Sequence, residues 1–289
     1  MEKRKSLCSK RGRCFGARIL YRVRAAMIAL GLASLTRRWS TPGETWYENG
    51  KQFWAAQTAK DDNGVLCGSA SVHEADIADS RRFLHEVYED GNPIWPPTDG
   101  RRTRALDVGA GIGRVSRDLL LKECDLVDLV DGNINFIEQA KATLSNRGDD
   151  GARGLLGRCI VADLQSYVPD EKCQYDLIWI QWVSCHLKDD DLVHALSKFA
   201  GALAPGGLIV LKDNVFERGG IGTADAVDGR YLVGEEDSSV VRTKTLLASL
   251  ATSSRSGLRL VASADAELAD PSLYPVVSLA LRRIRSENM

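Results

Sequence analysis

The 289-residue sequence predicts an α/β fold of the Rossmann-like type, and three observations support this prediction. From Arg104 onward, short apolar runs of strand length alternate with segments of helical periodicity. A glycine-rich turn follows the first run, and an aspartate ends the second. Strands that alternate with helices form a mostly parallel sheet covered on both faces, and such sheets bind ligands at the carboxyl ends of their strands.

Seven apolar runs are predicted to be strands, and they are Ala105–Val108, Leu126–Val130, Arg158–Ala162, Leu177–Trp182, Leu208–Leu211, Arg259–Ala262 and Val276–Leu281. Helical spacing predicts helices between several of them, namely Val115–Leu121, Phe136–Leu144 and Asp190–Leu203. The acids Asp189, Asp190 and Asp191 are interpreted as the solvated first turn of a helix, where acids are favoured.

A further helix is expected upstream of the sheet, over Arg81–Glu89, with Ser80 as its N-cap. Its apolar residues repeat at i, i+3 and i+4, and they are Phe83, Leu84, Val87 and Tyr88. The proline-rich stretch Asn92–Pro97 then marks a break in the chain. We therefore expect a helical segment over residues 41–97, followed by the main domain over 98–289.

Packing or surface roles are expected for His73, His85 and His194.

The amino-acid composition and the charge distribution limit the kinds of protein that this chain can be. The chain is 44% hydrophobic and 7% aromatic, which is typical of a globular enzyme and excludes a disordered or collagen-like chain. Seven cysteines are scattered without a CxxC pair, so free thiols in a reducing compartment and no metal site are expected. Residues 1–40 hold eleven basic residues and one acid, which leaves 27 basic and 38 acidic residues in the body. An acidic body argues against nucleic acid as the main partner and suits a cationic one.

Two interpretations of the basic extension, residues 1–40, remain open. It is rich in arginine and poor in acids, which fits an organelle targeting segment, but it equally fits a disordered tail. Its apolar stretch, Ala25–Leu35, is too short to span a bilayer, so no stable membrane insertion is expected.

The first strand ends in the run LDVGAGIGR, residues 106–114, which places Gly109, Gly111 and Gly113 at a strand-to-helix turn. Asp131 ends the second strand, at the spacing where an acid accepts hydrogen bonds from ribose hydroxyls. The spacing is GxGxG and not the GxGxxG of dinucleotide folds. It therefore favours S-adenosylmethionine, whose carboxylate Arg114 could meet, over a nicotinamide cofactor.

Two further strands carry polar or aromatic residues to the same edge of the sheet. The fourth ends in Gln181 and Trp182, and Trp182 is predicted to form a flat wall for a substrate ring or cation. Trp179, on the opposite face of that strand, is predicted to be core. The fifth ends in Asp213 and Asn214, and the Asn214 amide suits the holding of a neutral amine.

With these motifs in place, the chain resembles the α-N-terminal protein methyltransferases, which act on chains beginning Xaa-Pro-Lys. The resemblance covers roughly residues 50–282 and is strongest in the runs ALDVGAGIGRVSRDLLL, VDLVDGNINFIEQAKATL, YDLIWIQWVSCHL, IVLKDN, EDSSVVR and SLYPVVSLALR. It implies a seven-stranded class I methyltransferase fold with an N-terminal helical segment over a substrate channel. It also implies cytoplasmic or nuclear localisation, with organelle targeting by residues 1–40 as the other possibility.

The resemblance also implies site residues. The methyl donor would be held by Gly109, Arg114, Asp131, Leu164 and Gln181, and the glycine-rich turn adds Gly111 and Gly113 to this predicted set. The peptide would be held by Phe53, Trp54, Leu66, Trp182, Ser239 and Tyr274. Asn214, Asp237 and His186 would orient the amine, and Asp237 or His186 would take its proton.

Three features depart from the family pattern: Cys67 replaces a glycine, residues 219–233 form an insertion, and Gly234 stands where the family has an acid near the substrate lysine. Glu235 and Glu236 lie beside it. These departures keep two alternatives open, a small-molecule methyltransferase of the same fold and a non-catalytic regulator that binds S-adenosylmethionine.

Overall fold

The computed structural model describes residues 45–89, 100–145, 153–170, 172–217, 226, 229–268 and 273–284. The basic extension 1–40, the break Asn92–Pro97 and most of the 219–233 insertion lie outside the described residues.

The described N-terminal segment is helical. It contains α1 (Trp46–Ala55), the short α2 (Asp62–Val65), a 3-10 turn (Ala70–Val72) and α3 (His73–Glu89). Asp61 caps α2, because its side chain accepts a hydrogen bond from the Asn63 backbone N–H at 3.0 Å.

The predicted N-cap of the long helix is wrong. α3 spans 17 residues and begins seven residues before Ser80, which lies in its interior and is fully buried. Ser80 accepts a hydrogen bond from Lys212 Nζ at 2.9 Å. The polar residue therefore faces the protein interior and not the solvent at a helix end. The apolar face that the periodicity predicts is buried as expected.

The main domain follows the predicted alternation. Its strands are β1 (Arg104–Val108), β2 (Leu126–Asp131), β3 (Leu155–Val161), β4 (Tyr175–Gln181), β5 (Leu203–Phe216), β6 (Tyr231–Gly234), β7 (Ser239–Thr243), β8 (Leu258–Asp265) and β9 (Val276–Arg283). A π-helical turn (Ser116–Leu120) leads into α4 (Leu121–Glu123), and the remaining helices are α5 (Ile134–Ser145), α6 (Asp189–Gly201) and α7 (Lys244–Ala251). A 3-10 turn, Ser184–His186, follows β4.

Strands β3, β2, β1, β4 and β5 lie side by side and parallel in that order. β9 pairs antiparallel with both β5 and β8, which completes the seven predicted strands. The expectation of seven strands is nevertheless wrong, because the described residues contain nine. The additional pair, β6 and β7, is an antiparallel hairpin that pairs with the end of β5.

Each face of the sheet is covered by an apolar cluster. Alternate residues of β4 point to opposite faces, so that Ile178 and Ile180 belong to one cluster and Leu177 and Trp179 to the other. Trp179 is fully buried, which confirms its predicted place in the core. Because both faces are covered, polar ligand-binding groups are concentrated at the carboxyl ends of the strands.

Candidate functional site

The carboxyl ends of β1, β2 and β4 line a cavity of about 420 Å³, which α1 and the end of α2 line from the other side. This volume lies within the range of roughly 300–1,000 Å³ that small-molecule sites occupy. Ten of the sequence-predicted site residues line the cavity, and they are Trp54, Leu66, Gly109, Gly111, Arg114, Asp131, Leu164, Gln181, Trp182 and His186.

The glycine-rich turn forms the floor of the cavity. Gly109 and Gly111 have positive φ values of 68° and 56°. A Cβ atom at Gly109 would lie 2.5 Å from Val183 Cβ, so only glycine fits there. Gly113 also has a positive φ, of 80°, but its missing Cβ faces Leu144 of α5 at 2.8 Å. Gly113 packs against α5 and is not among the cavity-lining residues, and its contact with the cofactor stays a prediction.

Two carboxylates stand at the ends of the first two strands. Asp131 accepts hydrogen bonds from the Gly111 and Asn133 backbone N–H groups at 2.9 and 2.8 Å, and burial raises its pKa. Each of its oxygens keeps a second lone pair for a ligand hydroxyl. Asp107, at the end of β1, accepts a hydrogen bond from Ser116 Oγ at 2.7 Å, and burial raises its pKa to about 6. Both carboxylates line the cavity.

Arg114 and Gln181 meet at a carboxylate that the sequence analysis did not single out. Arg114 Nη1 donates to Asp76 Oδ2 at 2.7 Å, and Gln181 Nε2 donates to the same carboxylate at 2.8 Å. Asp76 belongs to α3 and is fully buried. Lys212 Nζ lies 2.8 Å from its other oxygen.

Trp182, the predicted aromatic wall, lines the cavity in a strained conformation. Its φ is +53°, a left-handed value that is uncommon for a bulky residue. The Arg114 guanidinium lies over its ring, 5.2 Å from the centroid. One face of the ring is therefore covered by a cation.

His186 bridges the helical segment and the hairpin loop. Trp54 Nε1 lies 3.2 Å from His186 Nε2, and His186 Nδ1 lies 3.2 Å from the Ser238 carbonyl oxygen. An indole N–H only donates and a carbonyl only accepts, so Nε2 is the acceptor and Nδ1 carries the proton. The hydrogen-bond partners thus fix His186 as a neutral tautomer whose Nε2 lone pair is engaged by Trp54.

Besides Gly113, five predicted site residues lie outside the lining of this cavity: Phe53, Asn214, Asp237, Ser239 and Tyr274. Asp237 accepts a hydrogen bond from Ser239 Oγ at 2.7 Å, in the loop that carries the cavity residue Ser238. Phe53 contacts Trp54 edge to face, with ring centroids 5.3 Å apart. Phe53, Asp237 and Ser239 are therefore each next in sequence to a cavity-lining residue, which is Trp54 or Ser238.

Asn214 and Tyr274 lie together at the end of β5. Asn214 is in register with Val276, and the next residue, Val215, donates its N–H to the Pro275 carbonyl at 2.8 Å. The structure therefore brings the two residues to one end of the sheet.

Gly234, which stands where the family has an acid, lies against the Asp237 and Ser239 side chains, which would have to move to admit a Cβ atom. A Cβ atom there would lie 2.4 Å from both Asp237 Oδ1 and Ser239 Oγ. The neighbouring Glu235 and Glu236 are exposed. Negative charge in this loop therefore lies on its solvent side and on Asp237.

The hairpin β6–β7 is fixed by a buried arginine. Arg242 donates to Asp189 Oδ1 at 2.9 Å and to the Ser184 and Leu187 carbonyls at 3.1 and 2.6 Å. Asp189 also accepts from Tyr231 OH at 2.7 Å. Asp189, the first residue of the acidic run, is therefore a partly buried hydrogen-bond partner of Arg242. This finding corrects the expectation of a solvated helix start.

Within the described ranges, no cluster of three or more His, Cys, Asp or Glu side chains is arranged to hold a metal ion. No described helix combines the length and apolar character needed to cross a membrane.

Comparison with known proteins decides the family. A family profile described as AdoMet dependent proline di-methyltransferase matches residues 42–282. Over 237 residues the chain is 35% identical to the human N-terminal Xaa-Pro-Lys N-methyltransferase 1. The aligned region covers 82% of this chain and 95% of the human protein. The chain belongs to this methyltransferase family. It is also 35% identical, over 83% of its length and 92% of the relative, to the alpha N-terminal protein methyltransferase 1 of Caenorhabditis elegans.

Solved structures agree with this membership. A SAM-dependent methyltransferase from Leishmania major matches with a TM-score of 0.66 and 32% identity, covering 82% of this chain and 83% of the other. The phosphoethanolamine N-methyltransferase 1 of Haemonchus contortus, solved with S-adenosylhomocysteine, matches with a TM-score of 0.59 and 19% identity, covering 86% and 52%. The second likeness concerns the fold alone. The Rossmann-like class I methyltransferase fold is confirmed.

The protein is accordingly a methyltransferase that uses S-adenosylmethionine. The cavity fits this methyl donor in its chemistry as well as its volume. Arg114 supplies guanidinium donors for a carboxylate, Asp131 supplies acceptors for ribose hydroxyls, and the glycine turn brings backbone close to the ligand.

Proposed function

We propose that the protein transfers methyl groups from S-adenosylmethionine to the free α-amino group of protein N-termini of the Xaa-Pro-Lys type. The names of its relatives support this substrate class. The structural observation that carries the proposal is the set of rings that line the cavity, Trp54, Trp182 and His186, of which His186 contacts the hairpin loop at Ser238. A channel walled by aromatic rings suits a proline at the second position of a peptide.

The methyl donor supplies an electrophilic methyl group on a sulfonium. Gly109, Arg114, Asp131, Leu164 and Gln181 would hold it. Their task is to fix its orientation, since a reaction between two bound molecules gains most from alignment of the reacting atoms.

The peptide would be held on the opposite side. Trp182 would stack on the proline, while Asn214, at the end of β5, would orient the amine. Trp54, Leu66, Phe53 and Tyr274 would form the surrounding wall. Glu235 and Glu236 would attract the cationic third residue from the solvent side.

Asp237 is the proton acceptor in this proposal. An α-amine has a pKa near ~7.7–8.0, so much of it must lose a proton before it can attack. The Nε2 lone pair of His186 is engaged by Trp54, whereas Asp237 is a carboxylate held by a single described side-chain hydrogen bond from Ser239. His186 would therefore orient Trp54 and the Ser238 loop, and Asp237 would receive the proton.

The test is mass spectrometry of synthetic peptides that begin Ala-Pro-Lys, Ser-Pro-Lys and Pro-Pro-Lys, incubated with the protein and S-adenosylmethionine. N-acetylated copies of the peptides are the control, because they lack a free amine. We expect methylation of the free peptides only, with strong loss in Asp237→Lys and Asn214→Lys variants. Transfer to a metabolite but not to these peptides would instead favour a small-molecule methyltransferase, and S-adenosylhomocysteine binding without any transfer would favour a regulator.

A further inference from the structure

The buried carboxylate of Asp76 contacts two of the three polar side chains that the proposed function assigns to the methyl donor, namely Arg114 and Gln181. Arg114 and Gln181 are themselves nearly buried, with 4% and 7% of their surfaces exposed. Each donates to Asp76, at 2.7 and 2.8 Å respectively. Asp76 does not line the cavity, so it acts on the ligand only through these two residues.

The contacts with Asp76 leave one orientation for each partner. Gln181 Oε1 accepts a hydrogen bond from Trp179 Nε1 at 2.8 Å, and because an indole only donates, the amide nitrogen of Gln181 must face Asp76. In the described part of the chain the hydrogen bonds of Arg114 run from Nη1 alone. Nε and Nη2 thus keep their donors for a ligand.

Lys212 fixes Asp76 from behind. Its Nζ lies 2.8 Å from Asp76 Oδ1, 3.0 Å from Asp79 Oδ2 and 2.9 Å from Ser80 Oγ, and its side chain is fully buried. Burial alone raises the pKa of Asp76, but the Arg114 and Lys212 cations outweigh it and lower that pKa. The carboxylate is therefore charged and saturated with donors, which makes it a rigid anchor.

We propose that Asp76 is a positioning residue for the methyl donor, and that it sets the orientation of Arg114 and Gln181 on the cavity wall. This inference rests on the proposed assignment of those two residues to S-adenosylmethionine. One consequence is that α3, an element of the N-terminal helical segment, is a necessary part of the donor site. The donor site is then shared between two stretches of chain that the Asn92–Pro97 break separates.

The chain offers a matched control at Asp79. It lies on the same helix three residues later, is also buried and also pairs with Lys212, at 3.0 Å. Its other oxygen accepts from Arg82 at 2.7 Å, and Arg82 does not line the cavity. Asp76 and Asp79 therefore share charge, helix and lysine partner, and differ in contact with Arg114 and Gln181.

The experiment compares full-length Asp76→Asn and Asp79→Asn proteins. The dissociation constant for S-adenosylhomocysteine is measured by calorimetry, and folding is checked by thermal unfolding. We expect Asp76→Asn to weaken binding roughly 10-fold or more, as loss of a residue that orients ligand-binding groups commonly does, and Asp79→Asn to bind within about 3-fold of wild type. Unchanged binding by Asp76→Asn, or equal weakening by both variants, would overturn the inference.

A second variant is needed if the Asp76→Asn protein does not fold because Lys212 has lost the charge of its Asp76 partner. The double variant Asp76→Asn with Lys212→Met removes both charges of the buried pair, and the same loss of binding is expected from it. Failure of the inference is distinct from failure of the proposed function. Normal S-adenosylhomocysteine binding by the variants contradicts the role of Asp76, whereas a wild-type protein that binds the ligand but never methylates the peptides contradicts the substrate class.

Discussion

At the scale of single residues, the site depends on positions where one side chain alone fits. Gly109 needs both a left-handed φ and the absence of a Cβ atom, because Val183 fills the space beside it. Trp182 adopts a left-handed φ without being a glycine, and its ring is held by the Arg114 cation. Strain of this kind persists where the surroundings fix it, and it occurs mainly at functional sites.

We predict that Gly109→Ala abolishes S-adenosylhomocysteine binding. The new methyl group would lie 2.5 Å from Val183 Cβ, so the turn must move away from the cavity floor. Gly201→Ala is the control, because no atom other than those of its chain neighbours and its own helix backbone lies within 4 Å of its Cβ position at the end of α6. Calorimetric titration checks both variants. Tight binding by Gly109→Ala would show that the turn does not contact the ligand.

Asp107 makes stability depend on pH in a direction opposite to that of most paired carboxylates. Burial raises its pKa to about 6 from a usual value of 3.8. The folded protein therefore binds the proton more tightly than the unfolded chain does, and this contribution to stability is lost as pH rises from about 4 to about 6. In Asp107→Asn the loss is absent, so the free energy of unfolding relative to wild type should rise by on the order of 1–3 kcal/mol between pH 4 and pH 7.

Urea denaturation of both proteins at pH 4, 5, 6 and 7 measures this difference. Asn is the appropriate replacement because its Oδ1 can still accept the hydrogen bond that Ser116 Oγ donates at 2.7 Å. A difference in unfolding free energy that stays constant over the four pH values would mean that Asp107 titrates normally.

At the scale of elements, long-range ion pairs join pieces of chain that the sequence pattern treats as separate. The network of Asp76, Asp79 and Lys212 joins α3 to β5, and Arg242 joins β7 to the start of α6. In each case a fully or mostly buried cation is surrounded by carboxylates or carbonyls, so removal of one partner leaves an uncompensated buried group.

We predict that Arg242→Met destabilises the protein by about 3–5 kcal/mol, the usual cost of breaking a buried pair from one side. The Arg242 side chain is 2% exposed and its partner is Asp189. Arg255→Met is the matched control, because Arg255 is 62% exposed and pairs with the neighbouring Asp190. Chemical denaturation of both variants is the measurement. A destabilisation as small for Arg242→Met as for Arg255→Met would indicate that water reaches the buried pair.

The elements that could be predicted from the sequence are those with a local signal. All seven predicted strands exist, because apolar runs long enough to fill a doubly covered sheet stand out from their surroundings. The hairpin strands β6 and β7 are only four and five residues long, and most of β6 lies within the 219–233 insertion, so their signal is weak. The start of α3 was misplaced because Ser80 resembles a solvated cap, and its buried partner Lys212 lies 132 residues away.

The same limit applies to the candidate site. Glycine spacing and the ends of strands locate the cavity, and most of the predicted residues line it. Asp76 was missed because an acid on a polar helix resembles a surface residue, and its contacts with Gln181 and Lys212 span more than a hundred residues. The tautomer of His186 likewise depends on Trp54 and Ser238 together, and only the folded chain brings these three residues into contact.

At the scale of the whole molecule, the helical segment and the main domain share one cavity. α1 contributes Trp46 and Trp54, α2 and the residue after it contribute Val65 and Leu66, and the sheet edge contributes the glycine turn. A ligand in this cavity therefore bridges the two stretches of chain, and its binding free energy stabilises both.

We predict that saturating S-adenosylhomocysteine slows amide hydrogen exchange in α1 and α2 as well as in the glycine-rich turn. At a ligand concentration about 100 times the dissociation constant, the added stability is about 2.7 kcal/mol, so exchange through opening of the cavity slows by roughly 100-fold. NAD⁺ at the same concentration is the control, because the glycine spacing predicts no binding of a dinucleotide. Exchange followed by mass spectrometry resolves the two stretches. Protection limited to the glycine turn, with Trp46–Ala55 unchanged, would mean that the donor site is complete without α1.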